Sequence, residues 1–166
     1  MDATAPVKDH LDRLVHEHEH LNRLVADLRE QTQACLRGEV EANDLRSDVE
    51  SFLRVAQDEL FAHFECEESG LFPFLVEQLP DTRDTIEQLA AGHDRMCGLL
   101  VRMERMVADE NDPRFVAEFE SFVSLFARFD ASYVQHARAE GALLRSLSGR
   151  LSPSQRVEVA RLLAEL

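Results

Sequence analysis

The sequence predicts an all-α protein: an antiparallel up-down-up-down four-helix bundle with a short extra C-terminal helix. Apolar residues recur at steps of three and four along four long segments, which is the spacing of one helix face. The six glycines and five prolines fall mostly between these segments. No useful length of sequence alternates polar and apolar residues as a half-buried strand would. Because the connections are short, consecutive helices should be antiparallel neighbours.

The first three long segments begin and end at recognisable signals. The first covers about residues 9–37 and is followed by Gly38, a common helix terminator. The second covers about residues 43–71, and Pro73 should end or kink it because proline lacks an amide hydrogen. The third covers about residues 80–109 and opens with a proline.

The last two helices have clear start signals. Asp112 and Pro113 give a cap followed by a proline at the first helical position of the fourth segment, which ends near Gly149. Ser152 and Gln155 have the spacing of a capping box. The whole chain, residues 1–166, is therefore predicted to be one domain, with the bundle over about 9–149 and the C-terminal helix over about 153–166.

Composition and charge exclude several classes of function. The 166 residues include 32 acidic and 18 basic side chains, a formal net charge of −14. This excess of negative charge disfavours binding to nucleic acid or to an anionic membrane surface. No apolar run reaches the roughly 18–20 residues needed to cross a bilayer. The N-terminus does not resemble a signal peptide, and three widely spaced cysteines suit a reducing compartment, so we expect a cytoplasmic location.

One histidine lies in the apolar stripe of the first predicted helix, and another lies in that of the third. The first stripe is Leu11, Leu14, His18, Leu21, Val25 and Leu28. The second is Ile86, Leu89, His93, Met96, Leu100 and Met103, with the same 3-4-3-4-3 spacing. His16 and His20 are each two residues from His18 and point elsewhere. Together with His10, they are expected to be solvated.

The second and fourth predicted helices each carry a histidine followed four residues later by a glutamate. His63 and Glu67 form one pair, and His136 and Glu140 form the other. Residues four apart share a helix face, and both pairs follow apolar positions that should face the core. A helix with one inward histidine is thus followed by a helix with an inward histidine and glutamate. The arrangement occurs twice, with separations of 45 and 43 residues between the histidines.

Each element alone has an ordinary explanation, either a hydrogen-bonded core histidine or a surface His-Glu pair. Together they bring four histidines and two glutamates into one core. Two buried carboxylates are desolvated and repel each other, and two bound cations would remove both costs. The sequence therefore predicts a metal site formed by His18, His63, Glu67, His93, His136 and Glu140. A metal-free helical interaction protein is an alternative.

Imidazole and carboxylate ligands without clustered thiolates suit iron, manganese or zinc, and the share of histidine favours iron. With two histidines on each ion, both glutamates bridging and one bridging oxygen, two six-coordinate ions would keep about two open positions. Open positions indicate small-ligand chemistry rather than a structural site. The ten phenylalanines should mainly pack the core, and some could form a dry wall around the metals.

Cys97, Tyr133 and Glu59 each lie one turn from a predicted histidine ligand. Cys97 is expected to be a buried thiol, although it could contact a metal or a bound molecule. Tyr133 could either pack or hydrogen-bond a bound oxygen species. Glu59 is expected to be a surface acid, with the alternative roles of spare ligand or acceptor for a histidine N–H.

Residues 63–73, HFECEESGLFP, resemble the second-helix signature of the hemerythrin-like HHE cation-binding domains. The remaining ligand positions of that family are matched by His18, His93, His136 and Glu140. The resemblance covers about residues 9–147 and implies a non-haem di-iron site in an antiparallel four-helix bundle. Members of the family include oxygen carriers and sensors, iron-linked regulators and iron–sulfur-cluster repair proteins.

Two positions depart from the oxygen-carrying hemerythrins. Those proteins have a second histidine four residues after the first on the third helix, where this chain has Cys97. They also have an aspartate five residues after the fourth-helix histidine, where this chain has Gly141, with Glu140 one residue earlier. Four histidines rather than five leave an extra open position, which argues against simple reversible oxygen carriage.

The sequence therefore predicts a cytoplasmic, non-haem di-iron protein of the hemerythrin-like type that binds or reduces a small ligand such as O2, NO or peroxide. Manganese or zinc could replace iron. The alternative is a non-catalytic sensor or iron-handling module that responds to iron or oxygen. Neither nucleic acid nor a membrane is an expected partner, and the sequence does not indicate a protein partner.

Overall fold

The computed structural model describes residues 19–109, 113–147 and 149–164. These residues form helices and connecting turns without any strand, which confirms the all-α prediction. The described α-helices are α1 Glu19–Leu36, α2 Arg46–Cys66, α3 Phe72–Gln78, α4 Arg83–Val107, α5 Arg114–Ala117, α6 Phe119–Leu147 and α7 Pro153–Leu163. None of them combines the length and the apolar character that crossing a membrane requires.

The four longest helices pack around a shared interior. Helices α1 and α4 each contact both α2 and α6. Phe52 of α2 meets Phe126 and Phe129 of α6 edge to face, with ring centroids 5.6 Å apart in both pairs. All three phenylalanines are buried, and aromatic residues of this size contribute much of the apolar area that holds helices together.

The buried apolar residues form two clusters, and three helices pass from one cluster to the other. Along α2 and its continuation, Leu60 of the larger cluster precedes Leu71 of the smaller one. Along α4 the order is reversed, because Leu89 of the smaller cluster precedes Met96 of the larger one. Along α6 the order is again that of α2, because Tyr133 of the larger cluster precedes Leu143 of the smaller one. The predicted metal ligands of these helices lie close to the points where the chain passes from one cluster to the other.

The second predicted helix does not stop near residue 71 but continues to Gln78 through a π-helical segment, Glu67–Leu71. Here the amide of Phe72 donates to the carbonyl of Glu67, five residues back rather than four. In a regular helix, the proline ring would clash with the carbonyl four residues before it. The wider turn immediately before Pro73 therefore allows the chain to continue as α3.

The fourth predicted segment is divided in two. Between α5 and α6, Glu118 leaves helical geometry with φ −112° and ψ 25°. Pro113 stands at the N-cap of α5 rather than at the first helical position, and Asp112 lies outside the described residues. The predicted start of the first helix, residues 9–18, also lies outside them. That helix ends before Gly38, whose φ of 74° favours glycine.

The predicted capping box begins α7. The Ser152 hydroxyl accepts a hydrogen bond from the Gln155 amide, and the Gln155 side chain accepts one from the Ser152 amide. Helix α7 packs against the π segment, where a Cβ on Gly70 would lie 3.2 Å from Cδ2 of Leu162. The C-terminal helix therefore rests directly on the turn that begins at Glu67.

Candidate metal centre

The structure brings five of the six predicted ligands together in its interior. They are His63 on α2, Glu67 at the start of the π segment, His93 on α4, and His136 and Glu140 on α6. Their exposed fractions, in that order, are 4%, 0%, 1%, 8% and 9%, so all five are buried. The sixth, His18, lies outside the described residues.

These side chains form two groups of candidate ligand atoms that share one residue, Glu67. One group is Glu67, His93 and His136, and the other is His63, Glu67 and Glu140. Within each group the ligand atoms lie within 4.8 Å of one another. Nε2 of His136 also lies 3.7 Å from Oε2 of Glu140, which connects the groups a second time. The arrangement offers two neighbouring three-ligand positions.

Glu67 lies at the centre of both groups. Its Oε1 is 3.5 Å from Nε2 of His63, and its Oε2 is 3.1 Å from Nε2 of His93. Neither oxygen accepts a hydrogen bond from a described residue, although the side chain is fully buried. Burial alone raises the pKa of this carboxyl, but the proximity of His63 and His93 outweighs burial and lowers the pKa to about 2. Glu67 is therefore a buried anion between two imidazoles.

Glu140 is shifted in the opposite direction. Burial raises its pKa well above the ordinary value, and the charge of nearby Glu67 raises the pKa further. Without a cation, Glu67 and Glu140 therefore resist being ionised together. A cation within reach of both carboxylates would stabilise both as anions.

His93 is constrained on several sides. Its Nδ1 lies 2.7 Å from Oε1 of Glu68, and its Nε2 lies 3.3 Å from Nε2 of His136. The ring stacks on Phe64, with centroids 3.8 Å and planes 8° apart, and on Phe72, with centroids 5.6 Å and planes 15° apart. Phe64 and Phe72 are therefore the candidates for the dry wall that the sequence analysis gave as the alternative to ordinary core packing.

Sequence reasoning missed Glu68 as a member of the site. Regular α-helical geometry places Glu68 about 100° from its neighbour Glu67, which turns it away from the ligand face. The signal that could have revealed it is Pro73, because a helix that continues through a proline must adjust its turn just before it. Phe64, which directly follows His63, is hidden by the same periodicity.

The three further candidates named in the sequence analysis lie outside the two ligand groups. Tyr133 is buried and stacks on Phe129 at a centroid distance of 5.9 Å, and burial together with nearby carboxylates raises its pKa. Cys97 is partly buried, and neither ligand group within the described ranges includes it. His20 is exposed, and its Nδ1 lies 3.3 Å from Oε1 of Glu59. Among the described residues, Oε1 of Glu59 therefore meets a surface histidine, while its Oε2 is buried.

Comparison with known families accounts for this cluster. The sequence matches the hemerythrin HHE cation-binding domain over residues 9–147. The chain belongs to the hemerythrin HHE cation-binding family. Membership confirms the resemblance seen in residues 63–73 and indicates that the protein binds metal ions. No curated protein and no solved structure matches the chain at a significant level.

The buried side chains fit the cation expected of an HHE domain. Both oxygens of Glu67 face imidazole nitrogens without accepting a hydrogen bond from the described chain. A buried anionic oxygen is stable only when a donor or a cation compensates it. Imidazole and carboxylate are also the ligand types that non-haem iron prefers.

Glu140→Gln should stabilise the metal-free protein at neutral pH while weakening metal retention. The folded-state pKa of Glu140 lies above its unfolded value, so its contribution to stability is greatest at low pH and is lost as Glu140 ionises. Removing the charge should raise the melting temperature by roughly 2–4 °C for each kcal/mol recovered. Thermal denaturation in excess chelator at about pH 5 and about pH 8 measures the effect, which should be larger at the higher pH.

Glu65→Gln is the matched control, because Glu65 is exposed on the same bundle and should change neither stability nor metal retention. A metal-free Glu140→Gln protein that melts below the wild type at both pH values would show that ionised Glu140 does not strain the fold.

Proposed function

We propose that this protein is a non-haem di-iron protein of the hemerythrin type that binds or reduces a small ligand such as O2, NO or peroxide. The proposed ligands are His18, His63, Glu67, His93, His136 and Glu140. His18 lies outside the described residues, and its support is its helical spacing and the family resemblance. Manganese and zinc are the alternative metals for this ligand set.

The observation that carries the proposal is that the two carboxylate oxygens of Glu67 face two different imidazoles. One oxygen faces His63 at 3.5 Å and the other faces His93 at 3.1 Å. A carboxylate that bridges two ions gives one oxygen to each ion. The two oxygens of Glu67 likewise face two different groups of candidate ligands. Glu140 belongs to one group and lies 3.7 Å from His136 of the other, so it is the second bridging candidate.

Bound iron would supply redox and Lewis-acid chemistry at the positions that the protein ligands leave open. The residues of the chain control what reaches those positions. Phe64 and Phe72 cover His93 and exclude water from that side. Between α4 and α6, a cavity of about 80 Å³ lies beside His136 and is lined in part by Gly92 and Gln135. Pockets for organic ligands are roughly 300–1,000 Å³, so this cavity suits a diatomic molecule or peroxide better than an organic substrate.

We also propose one domain with an up-down-up-down bundle in the cytoplasm. The alternating order in which α2, α4 and α6 pass the two apolar clusters supports antiparallel neighbours. Three widely spaced cysteines favour a reducing compartment. A net charge of −14 disfavours nucleic acid as a partner.

A non-catalytic sensor is the second candidate, and the contact between α7 and the π segment favours it. Glu67 begins that segment, and Gly70 within it packs against Leu162 of α7. A change in metal occupancy at Glu67 could therefore alter the seating of the C-terminal helix. Optical spectra of the iron-loaded protein with O2, azide, NO and peroxide separate the two functions. Turnover of NO or peroxide marks an enzyme, whereas stable adducts without turnover mark a sensor.

His63→Ala and His136→Ala should each lower the iron content of protein purified without added metal. Each change removes an imidazole from one of the two ligand groups. The loss in metal affinity should be at least the roughly 10–100-fold seen when a residue that merely supports a ligand is changed. Elemental analysis and anaerobic Fe²⁺ titration measure content and affinity.

His20→Ala is the control for these variants, because His20 is 56% exposed and should not affect iron. Equal losses from His20→Ala and His63→Ala would refute the ligand assignment. His18→Ala tests the remaining ligand and should resemble His63→Ala. A wild-type protein without stoichiometric metal after aerobic and anaerobic iron loading would refute both candidate functions.

Gly92→Leu should slow the entry of a small anion into the iron-loaded protein. A Cβ on Gly92 would lie 3.5 Å from Nδ1 of His136, so a leucine would fill the adjacent cavity. Stopped-flow absorbance with azide should show binding slowed by about tenfold, a barrier increase of ~1.4 kcal/mol. Gly98→Leu on the same helix is the control, because a Cβ there meets no described atom within 4 Å. Equal rates in both variants would show that azide enters by another route.

A further inference from the structure

We propose that Glu68 is the positioning residue for His93: its carboxylate accepts a hydrogen bond from Nδ1–H and so directs the Nε2 lone pair of His93 towards the metal. The inference rests on the proposed function, because it names the residue that orients one proposed ligand. Nδ1 of His93 and Oε1 of Glu68 are 2.7 Å apart, the length of a charge-assisted hydrogen bond. At the other side of the ring, Nε2 lies 3.1 Å from Glu67 and 3.3 Å from His136.

The hydrogen bond to Glu68 determines which nitrogen of His93 carries the proton. A neutral imidazole has one N–H, and the partner of one nitrogen fixes the state of the other. An ionised carboxylate can only accept, so the bond to Glu68 requires the proton on Nδ1. In the neutral ring, Nε2 then holds the lone pair that a cation beside Glu67 and His136 would meet. Metal-bound histidines generally donate their second N–H in this way.

Packing of the ring against its neighbours would not by itself decide which nitrogen of His93 faces the proposed metal site. Phe64 and Phe72 stack against the ring of His93 and thereby fix its plane. A half-turn of the ring about its Cβ–Cγ bond would return it to the same plane and preserve the stacking, but it would exchange Nδ1 with Cδ2 and Nε2 with Cε1. The polar contacts of Nε2 and of Nδ1 distinguish the two orientations, and the bond from Nδ1 to Glu68 is the one made with a residue outside both ligand groups.

The π segment explains how two consecutive glutamates reach the same ring. Its turn is wider than that of an α-helix, which reduces the angle between successive side chains. Glu67 reaches the Nε2 edge of His93, and Glu68 reaches the Nδ1 edge. The side chain of Glu68 is 47% exposed, so solvent screens its charge. Glu68 can therefore orient His93 without adding a third buried carboxylate to Glu67 and Glu140.

The first test uses the metal-free protein and needs no activity. In histidine-labelled protein, nitrogen-15 chemical shifts identify the protonated nitrogen of His93, whose signals are assigned by their loss in His93→Gln. Wild type and Glu68→Gln should carry a proton on Nδ1, because the amide oxygen of glutamine can still accept the hydrogen bond. In Glu68→Ala the Nδ1 proton should be lost in favour of Nε2–H, because Glu67 lies 3.1 Å from Nε2, and Glu65→Ala should match wild type.

The second test measures metal retention. Release of Co²⁺ to excess chelator should be about 10–100-fold faster in Glu68→Ala than in wild type, with partial rescue in Glu68→Gln and a shift of the visible cobalt bands. An unchanged His93 tautomer and an unchanged release rate in Glu68→Ala would refute the role of Glu68 alone. A wild-type protein that takes up neither Co²⁺ nor Fe²⁺ would refute the proposed function, and the tautomer of the metal-free protein would still decide whether Glu68 orients His93.

Discussion

The burial of two carboxylates in the middle of a helical bundle is the constraint on which the rest of the structure depends. Glu67 is fully buried and Glu140 is 9% exposed, and the pKa of Glu140 is raised by burial and by Glu67. Apolar helix packing would be simplest with a continuous core, yet the apolar residues divide into two clusters around these side chains. A cation that compensates the charge of both carboxylates would offset the cost of interrupting the apolar core.

The π segment connects three features that a regular helix would keep apart. It allows the chain to continue through Pro73, it brings both Glu67 and Glu68 to His93, and it presents Gly70 to the C-terminal helix. A strained or unusual helical turn is often found where a protein places functional side chains. Here the same few residues determine helix continuation, ligand orientation and the seating of α7, so a change in one of these properties is expected to affect the others.

The sequence predicts the helices and the inward side chains well because both follow from the spacing of apolar residues. His93 sits in an apolar stripe, and His63, Glu67, His136 and Glu140 continue such stripes, and all five are buried. Periodicity fails where the helix itself departs from regular geometry. Glu68 reaches His93 through the π turn, and Glu118 divides the fourth segment by leaving helical φ and ψ values. Neither departure follows from residue spacing, since each depends on local hydrogen bonding; Pro73 signals an altered turn before it but not which side chains that turn brings to His93.

Metal binding and folding should be coupled in this protein, whichever small-ligand function it performs. The unfavourable pairing of Glu67 and Glu140 exists only in the folded, metal-free chain, so part of the binding free energy of a cation appears as stability of the bundle. That coupling is shared by an enzyme and a sensor. The two differ in how the binding free energy of the cation is used. An enzyme needs the ligands held rigidly through turnover, and the stacked and hydrogen-bonded ring of His93 fits that need. A sensor needs a part of the fold that moves. The contact of α7 with the π segment is the place where such movement would be transmitted.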